Sequence, residues 1–230
     1  MFFYRQRYEC FTTPTPLAPG EYLVIGFLGG LEAWDADDQG VRKVALKLRA
    51  RNLPGVHVET VEDRKRALAL ELIERAFDHK RDGILDDEER RSARVILYGM
   101  SFGGAAVVKL ARQLQALDIP VLLTIQVDSV GWDDEVIPSN VRAAANLYQA
   151  DGHFVRGERA IRAEDPSKTA ILGDFRFSYR DKKIDLSSVP WYKLVFRVPH
   201  SKMNVDAEVW ARVEALILDA MSLRRCIATE

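Results

Sequence analysis

The amino-acid sequence predicts an α/β domain, a three-layer α/β/α sandwich with a mostly parallel central sheet. Three observations predict it. Short β-branched runs alternate with stretches of helical apolar period, the arrangement that joins parallel strands through helical crossovers. One run, Val121 to Val127, is almost continuously apolar, as a strand buried on both faces must be. The chain has 230 residues, 47% hydrophobic and 29% charged, enough for one sizeable core and too few for two. Residues 1–230 are therefore read as a single domain.

In chain order, Tyr22 to Ile25 form the first buried strand, which ends in the turn Gly26-Phe27-Leu28-Gly29-Gly30. Val56 to Thr60 make a second strand. A charged helix follows from about Val61 to Phe77, with Ala69, Leu72, Ile73 and Ala76 on one face. Val95 to Tyr98 are the third strand. Gly103 to Leu117 form a helix striped by Val107, Leu110, Ala111, Leu114 and Leu117, stopped by Pro120. The run Val121 to Val127 then ends at Asp128. From Gly131 to about Lys168 the composition turns polar, with Pro138, Gly152, Gly157 and Pro166. It predicts irregular structure with one short helix around Val141 to Leu147. Residues 131–170 are read as a lid or substrate-pocket insertion, lined by Trp132, Tyr148 and Phe154. Ile171 to Tyr179 and Tyr192 to Val198 predict two more strands. Val205 to Met221 close the chain as a helix with Trp210, Val213, Ile217 and Ala220 inward.

Charge excludes some partners. Lys plus Arg total 33 against 34 for Asp plus Glu, a net charge of −1, so no global field recruits nucleic acid or an anionic membrane. No run approaches the ~18 apolar residues of a membrane span, and Met1 to Cys10 lack a secretory apolar core. The chain reads as soluble and cytoplasmic. Cys10 and Cys226 are too sparse for a disulfide framework and read as free thiols. Nothing in the pattern sets an oligomeric state.

The chemistry concentrates where the strand Val95-Ile96-Leu97-Tyr98 runs into Gly99-Met100-Ser101-Phe102-Gly103-Gly104 and then a helix. This is the context that a G-x-S-x-G nucleophile elbow requires. The sharp turn strains the serine backbone and demands small neighbours, which Gly99, Gly103 and Gly104 supply. It aims the Ser101 hydroxyl outward and sets the Phe102 N–H in the first turn of the helix, where it can hold an oxyanion.

On these residues the chain resembles the α/β-hydrolase superfamily, most of all its lipase and esterase branch, as a compact form with a small cap or none. Ile25-Gly26-Phe27-Leu28-Gly29-Gly30 stands where that family often carries a His-Gly-Phe-like segment, with Ile25 in place of His. The resemblance implies that Phe27 supplies the second oxyanion-hole N–H, with Leu28 as fallback. It spans roughly Tyr22 to Met221 in element order, but only the elbow is a specific motif.

A serine hydroxyl needs a base, and the base a carboxylate; in this family the chain order is Ser, acid, His. His57 and His79 precede the elbow. His200 follows the expected strand Tyr192 to Val198, where the family keeps its catalytic histidine, and is the expected base. His153 is the alternative, in a polar, turn-rich stretch. Asp128 is preferred as the acid because a carboxylate at the carboxyl end of a buried strand faces the site; Asp174, within Ile171 to Tyr179, is its rival. Asp133 and Asp134 read as surface residues.

Asp78 to Glu89 has the layout of an EF-hand loop, with Asp78, Asp82, Asp86 and Glu89 as candidate ligands and Gly83 at the sharp turn. Lys80 replaces an oxygen ligand, so the loop reads as a calcium-like shape held by a lysine. No other metal set and no dinucleotide fingerprint appears, so no cofactor is expected. The function read from the sequence is a serine hydrolase that cleaves a small-molecule carboxylic ester or thioester through an acyl-serine intermediate. The alternatives are a non-catalytic hydrolase-like binding module, which the missing His at Ile25 favours slightly, and an ion-regulated scaffold resting on the Asp78 to Glu89 loop.

Overall fold

Runs of Val, Ile and Leu whose two faces are both apolar leave water only by pairing edge to edge and taking helices on either side. The computed structural model of the chain describes residues 5–30, 32–152, 155–187, 189, 194 and 198–222. Its strands are β1 (Tyr22–Phe27), β2 (Val56–Val61), β3 (Val95–Met100), β4 (Val121–Val127), β5 (Val136–Ile137), β6 (Val141–Gln149), β7 (Arg162–Ala163) and β8 (Ala170–Phe177). Its helices are α1 (Gly40–Ala50), α2 (Arg66–Phe77), α3 (Asp87–Ser92), α4 (Phe102–Ala116), α5 (Val198–Val205) and α6 (Ala207–Ser222).

Six strands pair in parallel in the order β2-β1-β3-β4-β6-β8, and β5 pairs with β7 in a separate two-stranded ribbon. Alternate side chains feed two cores, as the period of a strand dictates. Leu23, Ile25 and Phe27 of β1 pack with Leu72 of α2 and Leu110 of α4. Tyr22 and Val24 face the opposite way, onto Val44 and Leu48 of α1 and Val213 and Ile217 of α6. The result is the three-layer α/β/α sandwich that the alternating pattern predicts.

The register Val24↔Val58 on one side of β1 and Val24↔Ile96 on the other places β2 and β3 on opposite flanks of β1. The chain direction across the sheet therefore reverses at β1, and a crevice opens beyond the carboxyl ends of β1 and β3, the usual place for a site in such a sheet.

Three expectations are corrected. Val141 to Leu147 belong to β6, a strand between β4 and β8, not a short helix in an irregular insertion. Ala143, Ala144 and Ala145 favour helix locally, but two ladders of backbone hydrogen bonds and burial on both faces override that preference. The expected strand Tyr192 to Val198 is replaced, at its described positions, by helix at Leu194 and Val198; Pro199 cannot donate to a ladder but fits the first turn of α5. The helix expected from Val61 starts only at Arg66, because Val61 closes β2. Among the described residues, no helix is long and apolar enough to cross a membrane.

Candidate active site

The elbow forms because β3 ends at Met100 and α4 starts at Phe102, leaving Ser101 alone to turn the chain. Ser101 takes φ 58° and ψ −127°, a left-handed conformation that costs a non-glycine residue about 1–3 kcal/mol. Backbone bonds hold it there. Ser101 N–H donates to Val127 O at 3.0 Å, and Ser101 O accepts from Gly104 N at 3.0 Å and Val130 N at 3.1 Å. Packing leaves no room for side chains beside it. A Cβ on Gly99 would lie 2.4 Å from Gly103 O, and one on Gly103 would lie 2.2 Å from Phe27 O.

Ser101 and His200 line one cavity of about 80 Å³, together with Leu28, Gly29, Gly30 and Asn204. That is room for a few water-sized groups. Val41, Met100 and Phe102 give it apolar walls, and Glu32 and Asp38 also face it. Phe102 stands 53% exposed at its rim. Asn204 links the floor to α1, accepting from Gly40 N at 3.2 Å and donating to Gln39 Oε1 at 2.8 Å.

Asp128 sits one residue beyond β4, fully buried, with φ 41°. His200, in the first turn of α5, brings its Nδ1 to 2.6 Å from Asp128 Oδ2. Among the described residues, the carboxylate also accepts from the amides of Gly157, at 2.7 Å, and Gln149, at 3.4 Å, and from Gln149 Nε2 at 3.0 Å. Asp174 lies apart from His200 in these contacts: its Oδ1 accepts from Asn146 Nδ2 and Ile161 N, both at 3.0 Å, tying β8 to β6 and the segment before β7. His57 pairs with Glu21 at 2.9 Å, and His79 does not line the cavity. His153 and Phe154 lie outside the described residues.

Other expected residues fall elsewhere. Phe27 is fully buried as the last residue of β1, between β2 and β3, and the Leu28 N–H is spent on Val61 O at 2.9 Å. The turn reaches the cavity at Leu28, Gly29 and Gly30, of which Leu28 has already spent its amide. Gly29 lies beside Ser101: a Cβ there would be 3.5 Å from Ser101 Cβ. Trp132 is 87% exposed, and neither it nor Tyr148 lines the cavity. Asp134, expected at the surface, is buried with its carboxylate accepting from the Ser129 hydroxyl, because the chain after β4 folds back under α4.

In the calcium-like loop, Lys80 Nζ pairs with Asp86, and Asp86 caps α3 by accepting from Glu88 N and Glu89 N, each at 2.9 Å. Asp78 accepts from Gly83 N at 2.9 Å. No group of three or more His, Cys, Asp or Glu side chains that could hold a metal ion occurs among the described residues. Cys10 is a free thiol, and Cys226 lies outside the described residues.

Gln149 and Gly157 are partners of Asp128 that the sequence reading does not name. Both had a signal. Gln149 is a polar residue at the end of a buried strand, much as Asp128 follows one, and Gly157 is a glycine in a polar stretch, a mark of close backbone approach.

No protein-family model matches the chain, and no curated protein matches it. Among solved structures, the chain is similar to a cutinase-like protein from Cryptococcus sp., with 17% identity and a TM-score of 0.49, covering 90% of this chain and 98% of that one. It is also similar to an uncharacterized protein from Pseudomonas aeruginosa, with 11% identity and a TM-score of 0.43, covering 69% and 40% respectively. At that level of likeness the chemistry has to be read from this chain's own residues.

Proposed function

We propose that the protein is a serine hydrolase that cleaves a small carboxylic ester or thioester through an acyl-serine intermediate. The observation that carries this reading is the 2.6 Å contact of His200 Nδ1 with Asp128 Oδ2, made by a histidine that shares its cavity with Ser101. An ionised carboxylate only accepts hydrogen bonds, so Nδ1 holds the proton of this pair and Nε2 keeps a lone pair to act as base.

In the proposed reaction Ser101 Oγ attacks the acyl carbon while His200 Nε2 takes its proton. The tetrahedral oxyanion is held by the Phe102 N–H at the start of α4 and by the amides of Gly29 and Gly30, which replace Phe27 in that role. His200 then gives its proton to the leaving group, and Asp128 stabilises the imidazolium throughout. Water, deprotonated by the same Nε2, attacks the acyl-serine ester; the Oγ–acyl bond breaks, Ser101 Oγ takes the proton back from His200, and the carboxylic acid leaves. The small cavity favours a short acyl group, with the exposed Phe102 against the rest of the substrate.

The test is labelling with a fluorophosphonate, alongside hydrolysis of p-nitrophenyl acetate. Wild type is expected to label and turn over, and Ser101→Ala and His200→Ala to do neither. Well-folded wild type that stays unlabelled across a range of pH would leave a binding module in its place.

A further inference from the structure

We propose that Gln149 is a positioning residue, one that sets the orientation of the Asp128 carboxylate and through it the direction of the His200 ring. The assignment rests on the reading of Asp128 as the acid that supports His200. β6 runs parallel to β4 with Leu147 beside Val127, so the last residue of β6 arrives next to the residue that follows β4. Gln149 is fully buried, and its side chain has a partner at both polar atoms. Nε2 donates to Asp128 Oδ2 and to Val155 O, each at 3.0 Å, while Oε1 accepts from Asp151 N at 2.9 Å and Gly152 N at 2.8 Å.

One amide thus stands between the carboxylate and the backbone of Asp151, Gly152 and Val155. The oxygen it reaches, Oδ2, is the one that takes His200 Nδ1, so the rotation of the carboxylate is decided at the atom that aims the histidine. Gly157 secures the second oxygen. Its N–H meets Oδ1 at 2.7 Å, an approach open only to glycine because a Cβ would lie 2.5 Å from that same oxygen. The residue type at 149 follows from this geometry. Glutamate would oppose a second carboxylate to Asp128, and an aliphatic side chain would leave a buried lone pair of Oδ2 unmet.

A residue that only tied down the backbone of Asp151, Gly152 and Val155 would act independently of the carboxylate. The experiment separates the two roles by measuring Gln149→Met, which keeps the volume, and Gln149→Glu, which keeps the shape, each in wild type and in Asp128→Asn. Fluorophosphonate labelling rate, kcat and KM for p-nitrophenyl acetate, and the melting temperature are read for all of them. Gln149→Met is expected to lose roughly 10–100-fold in labelling rate and kcat, the usual effect of removing a partner that orients a reacting group, with KM within about twofold of wild type. In the Asp128→Asn background it is expected to cost less than about twofold more, since the group it acts through is gone. Gln149→Glu carries the same comparison if the methionine variant fails to fold.

Equal fold-losses in both backgrounds, or a loss that falls on KM alone, would overturn the proposal. So would wild-type labelling of either Gln149 variant while Asp128→Asn is impaired, with the triad reading left intact. Wild-type labelling of Asp128→Asn would overturn the triad reading, and the proposal with it.

Discussion

Replacing Gly103 with alanine adds one methyl at the point where α4 crosses the end of β1. The new Cβ would lie 2.2 Å from Phe27 O and 2.6 Å from Leu28 O. A carbon meets a carbonyl oxygen comfortably at about 3.3 Å, so the first turn of α4 must move by roughly 1 Å. Backbone forms both sides of the contact, and no flexible side chain can give way. Overpacking of this kind costs about 1–3 kcal/mol, and in a chain of this length each kcal/mol lowers the melting temperature by about 2–4 °C. The same shift carries the Phe102 N–H and Ser101 away from Gly29. A misplacement of about 1 Å costs on the order of 100-fold in rate. Differential scanning calorimetry and the fluorophosphonate labelling rate measure the two effects on one preparation. If Gly103→Ala melts with wild type and labels at the wild-type rate, the close approach of α4 to β1 is not what sets the elbow.

Other perturbations separate the carboxylates and the structural ties. Asp128→Asn is expected to lower kcat for p-nitrophenyl acetate by on the order of 10⁴, whereas Asp174→Asn stays within a few fold and lowers only the melting temperature; a larger kinetic loss in Asp174→Asn reverses the assignment. Tyr98→Phe removes the buried hydroxyl that donates to Val41 O at 2.9 Å, for about 0.5–1.5 kcal/mol in chemical denaturation, because that carbonyl belongs to α1 and keeps its helical partner; an unchanged midpoint contradicts it. Asp86 is held down to about 2 by the Glu89 amide, the Lys80 ammonium and the Glu88 amide, against 3.8 in an ordinary aspartate. Its contribution is therefore present above about 3.8 and lost as pH falls through about 2. Asp86→Ala should melt below wild type near neutral pH and together with it near pH 2, in paired thermal scans; a gap that persists in acid rules out the carboxylate as its source.

Much of the site is legible from local pattern. The elbow is contiguous, so strand, glycine spacing and helix stripe reveal Ser101 without tertiary information. Asp128 follows from the end of a continuous apolar run, and the loop at Asp78 to Glu89 announces its Lys80 clamp by the misfit at one position. α1 was equally open to reading, since Val41, Val44, Ala45 and Leu48 carry a helical stripe and all are buried. Other features had no local trace. β6 looks helical because its alanines prefer helix, and only its two strand neighbours overrule them. His200 was expected just after a strand and instead sits in the first turn of α5, a helix that begins at Val198 and Pro199.

Composition and period alone determined the α/β class, a mostly parallel sheet and the presence of a strained serine at a strand end, because each is written in patterns a few residues long. Which acid meets which histidine depended on the tertiary structure. Asp128 and His200 are 72 residues apart, and a third element, β6, brings Gln149 to the same carboxylate. The turn after β1 was likewise shaped by packing, since β2 claims the Leu28 amide and β3 helps to bury Phe27, while Gly29 and Gly30 follow at the cavity. Such choices turn on which hydrogen-bond donors the sheet has already used, and a donor's partner across the fold leaves no period in the chain.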